Sequence, residues 1–384
     1  MTVDGQQAIE VTPASGAGPL GNGAPASGQA PVSGATDAPA QLDVPGPGPR
    51  RAAPTLERVA ARAGVSRSTA SRAINGGLRV SPETQAAVDA AVADLGFAPN
   101  RAARSLATRR SDSIALVIPE PDELVLSDPF FAGVVNGLNS ALRATDLQLV
   151  LVMARPTDVA TRTLHYLRGG HVDGAVVVSQ HRDDVLAAEL YRAGVPAVFV
   201  GRPFEGGRPV RYVDVDNTGG GRLAGEYLVN LGRRRIATIT GPQDMTAGID
   251  RLTGWREALV AAGLASDAVA YGDFTSPGGA RAATRLLAEH PDLDALFVAS
   301  DLMAAGALGV LVDAGRRVPD DVALIGYDNL AVATSTLPTL TTVVNPVVAM
   351  ARTAGEMLVD LLAGKAVAEE PVIFPAEIVV RFSA

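Results

Sequence analysis

Three short amphipathic helices are predicted in the first third of the chain, after a stretch without periodicity. The first begins at Thr55, its predicted N-cap, and its apolar residues recur at i, i+3, i+4 and i+7. Ser66 follows a break at Gly64 and is expected to cap the second helix, which ends at an Asn-Gly-Gly sequence. The third begins at Ser81, which precedes a proline, and is closed by Gly96. Three short helices with a tight glycine-containing first turn predict a helix-turn-helix module. Their apolar faces consist of Leu56, Val59, Ala60 and Ala63, of Ala70, Ala73 and Ile74, and of Val88, Ala91, Val92 and Leu95.

From Ser113 onward, short β-rich runs alternate with amphipathic helices. The predicted strands are Ile114–Ile118, Leu147–Val152, Ala175–Val178, Ala197–Val200, Tyr212–Val215, Ile236–Thr240, Ala295–Val298 and Val322–Ile325. The predicted helices are Pro129–Arg143, Ala187–Ala193, Gly221–Leu231, Leu252–Ala262, Ala280–Glu289, Leu302–Ala314 and Val347–Leu362. Repeated alternation of this kind predicts parallel sheets with helices on both faces. Because about 270 residues exceed one typical doubly wound sheet, we expect an α/β domain of two lobes.

The segments outside these patterns differ in composition. Residues 1–49 are mostly Gly, Pro, Ala and Ser without an aromatic residue, so they cannot bury enough apolar surface to offset their chain entropy. Asn100–Ala107 is compatible with a helix of only two turns, which should fold only against a partner. We therefore expect a disordered tail over residues 1–52, a helix-turn-helix headpiece over 53–98, a short helix and linker over 99–112, and the two-lobed domain over 113–384.

Charge is unevenly distributed along the chain. The net charge is −8, which by itself is unfavourable for a nucleic-acid binder. However, residues 50–110 carry a net +7, whereas residues 1–49 carry −4 and the remainder −11. A basic module thus lies between two acidic segments, so the whole-chain charge does not exclude a role in DNA binding.

Several other classes of protein are excluded by composition. The chain has no cysteine, which excludes disulfides and thiolate metal sites. Its four histidines lack metal-ligand spacing, and we expect neither a metal nor a cofactor. The longest apolar runs have only the length of strands, and residues 1–49 lack the basic start and apolar stretch of a signal peptide. We therefore expect a cytoplasmic protein.

One glycine-rich segment, residues 219–224, fits the dinucleotide-binding pattern G-x-G-x-x-A and follows a predicted strand. The next strand, Ile236–Thr240, runs into Gly241-Pro242 and offers no acidic residue for a ribose. The sequence also contains neither a Gly-x-Ser-x-Gly elbow nor a phosphate loop. Nothing in it indicates an enzyme.

The segment Thr55–Asn75 resembles the DNA-binding headpiece of the lactose-repressor/galactose-repressor family. Further segments that resemble the family follow in the expected order: Val80–Thr84, Leu95–Asn100, Arg104–Ala107, Asp128–Phe131, Val172–Gly174, Asp216-Asn217, Leu231–Ile236, Gly254-Trp255, Ser300-Asp301, Ile325–Asn329 and Leu340–Val343. The resemblance covers residues 54–384, which is everything except the tail. It implies a sequence-specific transcription regulator, commonly a repressor, whose two-lobed domain binds a small effector.

Candidate DNA contacts lie mainly on the second predicted helix. Arg67, Ser68 and Arg72 face outward near its N-terminus, where a recognition helix meets base edges in the major groove. Residues at element ends are expected to contact phosphates: Thr55, Ser66, Thr69, Ser71, Asn75, Arg79 and Thr84. The resemblance further implies that Asn100–Ala107 is a hinge helix that enters the minor groove, with Asn100 and Arg104 as contacts and Leu106 as a wedge.

The resemblance also implies a sugar-like or polyol effector held in the cleft between the lobes. The positions carried over for ligand binding are Asp128, Phe130, Phe131, Arg202, Arg251, Phe274, Asp301, Asp328 and Asn345. Arg251 and Asp328 combine a donor fork with an acceptor and could clamp neighbouring hydroxyls. The chain departs from many members at Ser300, where asparagine commonly precedes the aspartate.

A homodimer on a pseudo-palindromic operator is the expected assembly, because a two-fold dimer reads two half-sites. Tetrameric relatives append a leucine-heptad helix after this domain, whereas this sequence ends in the strand-like Glu377–Phe382 and leaves no residues for a coiled coil, so we expect a dimer and not a tetramer. Release of DNA by the effector is the commoner outcome in the family.

Two alternatives remain, a solute-binding receptor of a transport system and a sugar-metabolising enzyme. The basic headpiece disfavours the first, and the absent catalytic residues disfavour the second.

Overall fold

A computed structural model describes residues 54–75, 80–97, 110–154, 162–204 and 210–384. The predicted tail and most of the predicted hinge segment, with Asn100, Arg104 and Leu106, lie outside the described residues, as does Arg79. Within the described ranges, no helix combines the length and the apolar character needed to cross a membrane.

The headpiece consists of the three predicted helices, α1 (Leu56–Ala63), α2 (Arg67–Ile74) and α3 (Pro82–Leu95). Val59, Ala73, Val88 and Ala91 form its buried core. The predicted caps at Ser66 and Ser81 are present, because each hydroxyl accepts the backbone N–H three residues further on. Thr55 occupies the predicted N-cap position of α1 with extended backbone, but its side chain makes no capping hydrogen bond. Gly64 and Gly96 end α1 and α3 in the left-handed conformation that glycine adopts without strain.

The remaining chain forms two α/β lobes, each built on a six-stranded sheet. The sheet of the first lobe has the order β11-β5-β4-β3-β1-β2, and that of the second has the order β12-β10-β9-β8-β6-β7. All strands pair in parallel except β12, which is antiparallel to β10. The strands are β1 (Ser113–Ile118), β2 (Gln148–Met153), β3 (Gly174–Val178), β4 (Ala197–Val200), β5 (Tyr212–Val215), β6 (Ile236–Thr240), β7 (Val269–Tyr271), β8 (Ala295–Val298), β9 (Ala323–Asp328), β10 (Thr341–Val344), β11 (Val372–Phe374) and β12 (Ile378–Val379).

Helices cover both faces of each sheet, as the alternation predicts, and bury central strands such as β3 completely. They are α4 (Asp122–Ser127), α5 (Pro129–Leu142), α6 (Leu164–Arg168), α7 (Leu186–Ala193), α8 (Asn217–Asn230), α9 (Thr246–Ala261), α10 (Ser276–Glu289), α11 (Asp301–Asp313), α12 (Val332–Ser335) and α13 (Val347–Leu362). The predicted fold class, an α/β domain of two lobes beside a small helical headpiece, is confirmed.

The chain crosses between the lobes three times, from β5 to α8, from β10 to α13 and from β11 to β12. Parallel strands of each sheet end at the edge that faces the other lobe, where loops carry polar side chains. Ligands of open α/β sheets bind at such carboxyl edges. The topology therefore predicts a ligand site in the cleft between the lobes.

Three helices begin at least four residues earlier than their apolar patterns predict, and one of them, α10, starts at Ser276 instead of Ala280. Helix α8 starts at Asn217 instead of Gly221, and α9 starts at Thr246 instead of Leu252. Their first turns contain glycines, which disfavour helix in isolation. Glycines further along α8 and α9 let these two helices pack backbone to backbone. A Cβ atom on Gly221 would overlap the carbonyl oxygen of Arg251, and one on Gly254 would overlap that of Thr218. Tertiary packing therefore overrides local propensity here.

We predict that Gly254→Ala lowers the free energy of unfolding by about 2 kcal/mol, because the added methyl meets a backbone carbonyl that cannot rotate away. Gly309→Ala is the matched control. This glycine lies on the exposed side of α11 with open space at its Cβ, and alanine should be neutral or stabilising by up to about 1 kcal/mol. Thermal unfolding followed by circular dichroism measures both effects. Equal midpoints for the two variants would show that the close helix contact is not required.

Candidate functional site

The headpiece presents the predicted base-reading residues on one exposed face of α2. Arg67, Ser68 and Arg72 are exposed, while Ala70 and Ala73 on the opposite face are buried. The Nε of Arg67 lies 2.8 Å from the Glu57 carboxylate, and the Nε of Arg72 donates to the carbonyl of Ser68 at 3.3 Å. Exposed contacts of this kind contribute little stability and are readily exchanged for others. The arginines are therefore available to a partner.

The predicted phosphate contacts lie at the ends of the same helices. Thr55, Ser66 and Asn75 are exposed, whereas Thr69, Ser71 and Thr84 are half-buried. The hydroxyl of Ser66 accepts the Thr69 N–H at 3.1 Å, and the backbone N–H of Thr84 donates to Ser81. These caps fix the first turns of α2 and α3.

A pocket lies between the lobes, lined by residues that follow the strands of both sheets. Its empty volume, which includes space open to solvent, is about 880 Å³. Its polar lining consists of Glu120, Asp128, Ser179, Gln180, Arg202, Asp214, Asn217, Thr246, Arg251, Ser300, Asp328 and Asn345, and its apolar lining includes Leu124, Phe130, Phe131, Met245, Phe274, Leu302, Leu330 and Met350.

The centre of the pocket is the predicted pair of Arg251 and Asp328. Arg251 is only 4% exposed, and its Nη1 lies 3.5 Å from the Asp328 carboxylate. Its Nε donates to Asn217 at 2.8 Å and its Nη1 donates to the carbonyl of Ala299 at 2.6 Å. The guanidinium also lies over the ring of Tyr327, 3.6 Å from the centroid. Among the described residues, no hydrogen bond uses Nη2, which leaves these donors for a ligand.

Asp128 and the adjacent phenylalanines come from the start of α5. The Asp128 carboxylate accepts the backbone N–H of Phe130 at 2.9 Å, which fixes it as the N-cap. Burial, together with the charges of Asp328 and Glu120, raises the pKa of Asp128 to about 6. Phe130 and Phe131 pack edge to face with centroids 5.4 Å apart, and both line the pocket.

Strained backbone is concentrated at the pocket. Ser179, Phe274 and Asp328 have φ of 61°, 62° and 107°, a region that side chains other than glycine rarely adopt. All three line the pocket. The ring of Phe274 lies against Gly241, where a Cβ atom would overlap it. Packing thus holds these side chains in positions that the local backbone does not favour, a feature typical of binding sites.

Two predicted ligand residues, Arg202 and Asp301, bind other residues of the protein. Arg202 lines the pocket, but its guanidinium forms two hydrogen bonds with Asp250 of the other lobe, at 2.8 and 2.6 Å. Asp301 does not line the pocket and is fully buried. Its carboxylate accepts from the Thr342 hydroxyl at 2.6 Å and the Leu330 N–H at 2.8 Å, so it fixes the loop after β9. Burial and the nearby Asp328 charge raise the pKa of Asp301 to about 7.

Several pocket residues escaped the sequence analysis, most clearly Gln180 and Glu120. The Nε2 of Gln180 and the Oδ1 of Asn345 are buried and have no hydrogen-bond partner among the described residues. A buried polar atom without a partner costs about 1–3 kcal/mol, so both atoms are suited to bind a ligand. Gln180 and Glu120 each follow the end of a predicted strand by two residues, and this position was the signal that could have identified them.

We predict that Arg251→Gln lowers the free energy of unfolding by about 3 kcal/mol, because it leaves the Asp328 charge buried without its partner. Arg256→Gln, an exposed change on the same helix, should have little effect. The difference should shrink from about pH 8 to about pH 5. Burial raises the pKa of Asp328, and protonation at lower pH removes the unpaired charge. Urea unfolding at both pH values measures this, and a pH-independent difference would contradict the pairing.

Comparison with known proteins agrees with this architecture. Residues 55–100 match the family described as bacterial regulatory proteins, lacI family, and residues 226–384 match a periplasmic binding protein-like domain. The transcriptional regulator CelR of Thermobifida fusca is 49% identical over 339 residues, which are 87% of this chain and 99% of that protein.

Two solved structures extend the comparison. A CelR–cellobiose complex has 47% identity and a TM-score of 0.69, covering 86% of this chain and 100% of that one. A Lac repressor dimer bound to operator and the anti-inducer ONPF has 29% identity and a TM-score of 0.77, covering 86% and 99%. These matches favour a transcription regulator over the transport receptor considered from sequence. Headpiece, lobes and pocket together with these matches establish that the chain belongs to the lacI family of bacterial regulatory proteins.

Proposed function

We propose that this regulator is a repressor whose effector is an uncharged saccharide bound between the lobes, with a cellobiose-like disaccharide as the first candidate. The observation that carries the proposal is the pair of buried, unpartnered polar atoms in the pocket, the Gln180 Nε2 donor and the Asn345 Oδ1 acceptor. A hydroxyl group both donates and accepts, so a polyol satisfies both kinds of atom.

The pocket charges favour a ligand without negative charge. Glu120, Asp128 and Asp328 contribute carboxylates to the lining. The two arginines there are already engaged, Arg202 with Asp250 and Arg251 with Asp328. A phosphate or carboxylate would face these acidic groups while the charge of each arginine is already balanced by a carboxylate, and like-charge juxtaposition costs several kcal/mol.

Aromatic side chains supply the apolar contacts that a sugar needs. Phe130, Phe131 and Phe274 line the pocket, and they come from both lobes. Sugar rings present C–H faces that pack on aromatic rings, while the hydroxyls at the edges reach polar groups. The CelR structure, at 47% identity, was determined in complex with cellobiose, and this supports a disaccharide of that class.

The DNA-binding part of the proposal rests on the headpiece. Arg67, Ser68 and Arg72 read base edges, and the element-end residues of the headpiece contact phosphates. Residues 99–112, with Asn100, Arg104 and Leu106, form the hinge between a headpiece over 53–98 and the two lobes over 113–384. Two chains bind a pseudo-palindromic operator in the cytoplasm, as the Lac repressor dimer binds its operator. Effector binding releases the DNA.

Arg72→Ala should weaken binding to the operator by about 1–3 kcal/mol and relax the preference at one base position per half-site. The operator is first selected from a random DNA library. Arg62→Ala is the matched control, because Arg62 is paired with Asp94 inside the headpiece at 2.6 Å and should not change base preference. Gel-shift titrations on specific and random DNA measure both. Equal weakening on the two DNAs would assign Arg72 to a phosphate.

Cellobiose should bind the chain and release it from the operator, whereas cellobiose 6-phosphate should bind at least about 100-fold more weakly because of the acidic lining. Isothermal titration calorimetry gives the affinities, and fluorescence anisotropy of labelled operator gives the release. Preferential binding of the phosphorylated sugar would overturn the charge argument. Absence of binding by cellobiose and other neutral disaccharides would overturn the proposed effector class.

A further inference from the structure

A polar cluster outside the family-related positions joins the two lobes at the edge of the pocket. It is centred on His181, in the loop between β3 and α7 of the first lobe. The ring Nε2 lies 3.0 Å from Glu120 of the same lobe, and Nδ1 lies 2.7 Å from Asp244 of the second lobe. Exposure increases from Glu120 (8%) through His181 (29%) to Asp244 (56%), so the cluster runs from the pocket wall to solvent.

The geometry fixes the protonation of this histidine. Ionised carboxylates only accept hydrogen bonds, and a neutral imidazole donates from one nitrogen only. Because both ring nitrogens face carboxylate oxygens within hydrogen-bond distance, the arrangement requires an imidazolium that donates from both. When the ring loses its second proton, one of the two carboxylates faces a nitrogen that no longer donates, so the bridge from Glu120 through His181 to Asp244 is complete only in the imidazolium form.

We propose that protonated His181 is a clamp that holds the two lobes together, so that effector binding is coupled to proton binding. The part that concerns the effector rests on the proposed function above. The clamp itself is a property of the chain and is testable without any ligand.

Neighbouring contacts hold the two loops in register. The backbone N–H of Arg182 donates to the carbonyl of Asp244 at 2.7 Å, and its Nη2 donates to the carbonyl of Gln243 at 3.3 Å. The Ser179 hydroxyl donates to Glu120 at 2.5 Å and so fixes the carboxylate that receives Nε2. The donors in these contacts are backbone, guanidinium and hydroxyl groups, which keep their protons near neutral pH, so His181 is the donor of the cluster whose proton can be lost.

The clamp is connected directly to the pocket. Glu120 lines the pocket, and Gln180, whose Nε2 has no partner, precedes His181 in the chain. On the second lobe, Asp244 precedes Met245 and Thr246, which also line the pocket. Opening of the clamp therefore moves pocket-lining residues of both lobes, and a ligand that contacts both lobes must favour the closed clamp.

The charged groups around His181 determine the direction of the pH effect. Glu120 and Asp244 face the ring. Asp184 lies close enough for the positive charge of His181 to favour its ionised form, and Arg182 is the adjacent cation. The hydrogen bond to Glu120, the largest effect, and that to Asp244 raise the pKa of His181 to about 9, against the opposing effect of burial. A raised pKa means that the clamp contributes fully below the ordinary value near 6.5 and is lost as pH rises through about 9.

The ligand-free chain tests the clamp by NMR. With ¹³C-labelled histidine, the four ring signals are followed against pH, and His181→Asn identifies the relevant one. We expect a midpoint near 9 for His181, and a decrease of about one pH unit in Asp244→Asn, whose change lies on the other lobe. A midpoint near 6.5, or one that Asp244→Asn leaves unchanged, would overturn the clamp.

Calorimetry with cellobiose then tests the coupling. Between about pH 7 and about pH 9.5 the affinity of the natural chain should fall by about tenfold, while that of His181→Asn should be low and nearly independent of pH. His165→Asn, at an exposed position on α6, is the matched control and should behave as the natural chain. Equal pH dependence in all three proteins would overturn the coupling. Loss of cellobiose binding in all three, with the NMR midpoint still near 9, would count against the proposed effector and leave the clamp supported.

Discussion

The charge of Arg251 is almost completely buried, and much of the pocket is arranged to compensate it. A buried guanidinium needs both a counter-charge and acceptors for its N–H groups, or the fold loses several kcal/mol. Asp328, Asn217 and the carbonyl of Ala299 meet this need, and they lie on β9, at the start of α8 and just after β8. One side chain thus ties together the parts of the second lobe that face the cleft, and its remaining donors are what the pocket offers a ligand.

This arrangement depends on the close approach of α8 and α9. Gly221 allows the backbone of Arg251 to come near enough for its side chain to reach Asn217. The same glycine run fits a dinucleotide-binding pattern, yet Gly219 lies over its capping Asp216 and Gly220 lies over the hydroxyl of Tyr327. The glycines therefore serve helix capping and helix packing. A short glycine motif indicates close backbone approach, and only the surrounding structure tells whether a ligand or another helix is what approaches.

The sequence predicted the periodic parts of the fold well and the contacts between lobes poorly. Strands such as Ile236–Thr240 are marked by local apolar runs and match the structure, whereas the short β7 and β11 have too few residues to show a period. Of the ligand positions implied by the family resemblance, Arg251, Phe274 and Asn345 do line the pocket. Asp301 does not, because its role is decided by Thr342 and Leu330, far along the chain. His181 carries no local signal, since its importance comes from partners that only the tertiary fold supplies.

The first lobe provides the physical connection between the pocket and the segment that leads to the headpiece. Asp173 accepts the backbone N–H groups of Ser111 at 2.7 Å and Asp112 at 2.9 Å, which anchors the end of that segment at the start of β1. The five residues Ile114–Ile118 of β1 are fully buried, and Glu120 lines the pocket just beyond its other end. A close-packed sheet does not stretch, so the lobe transmits rotation as a body and not as a local distortion. If the proposed clamp closes the lobes at Glu120 and His181, the first lobe carries that movement to Ser111 as a change in its orientation as a whole.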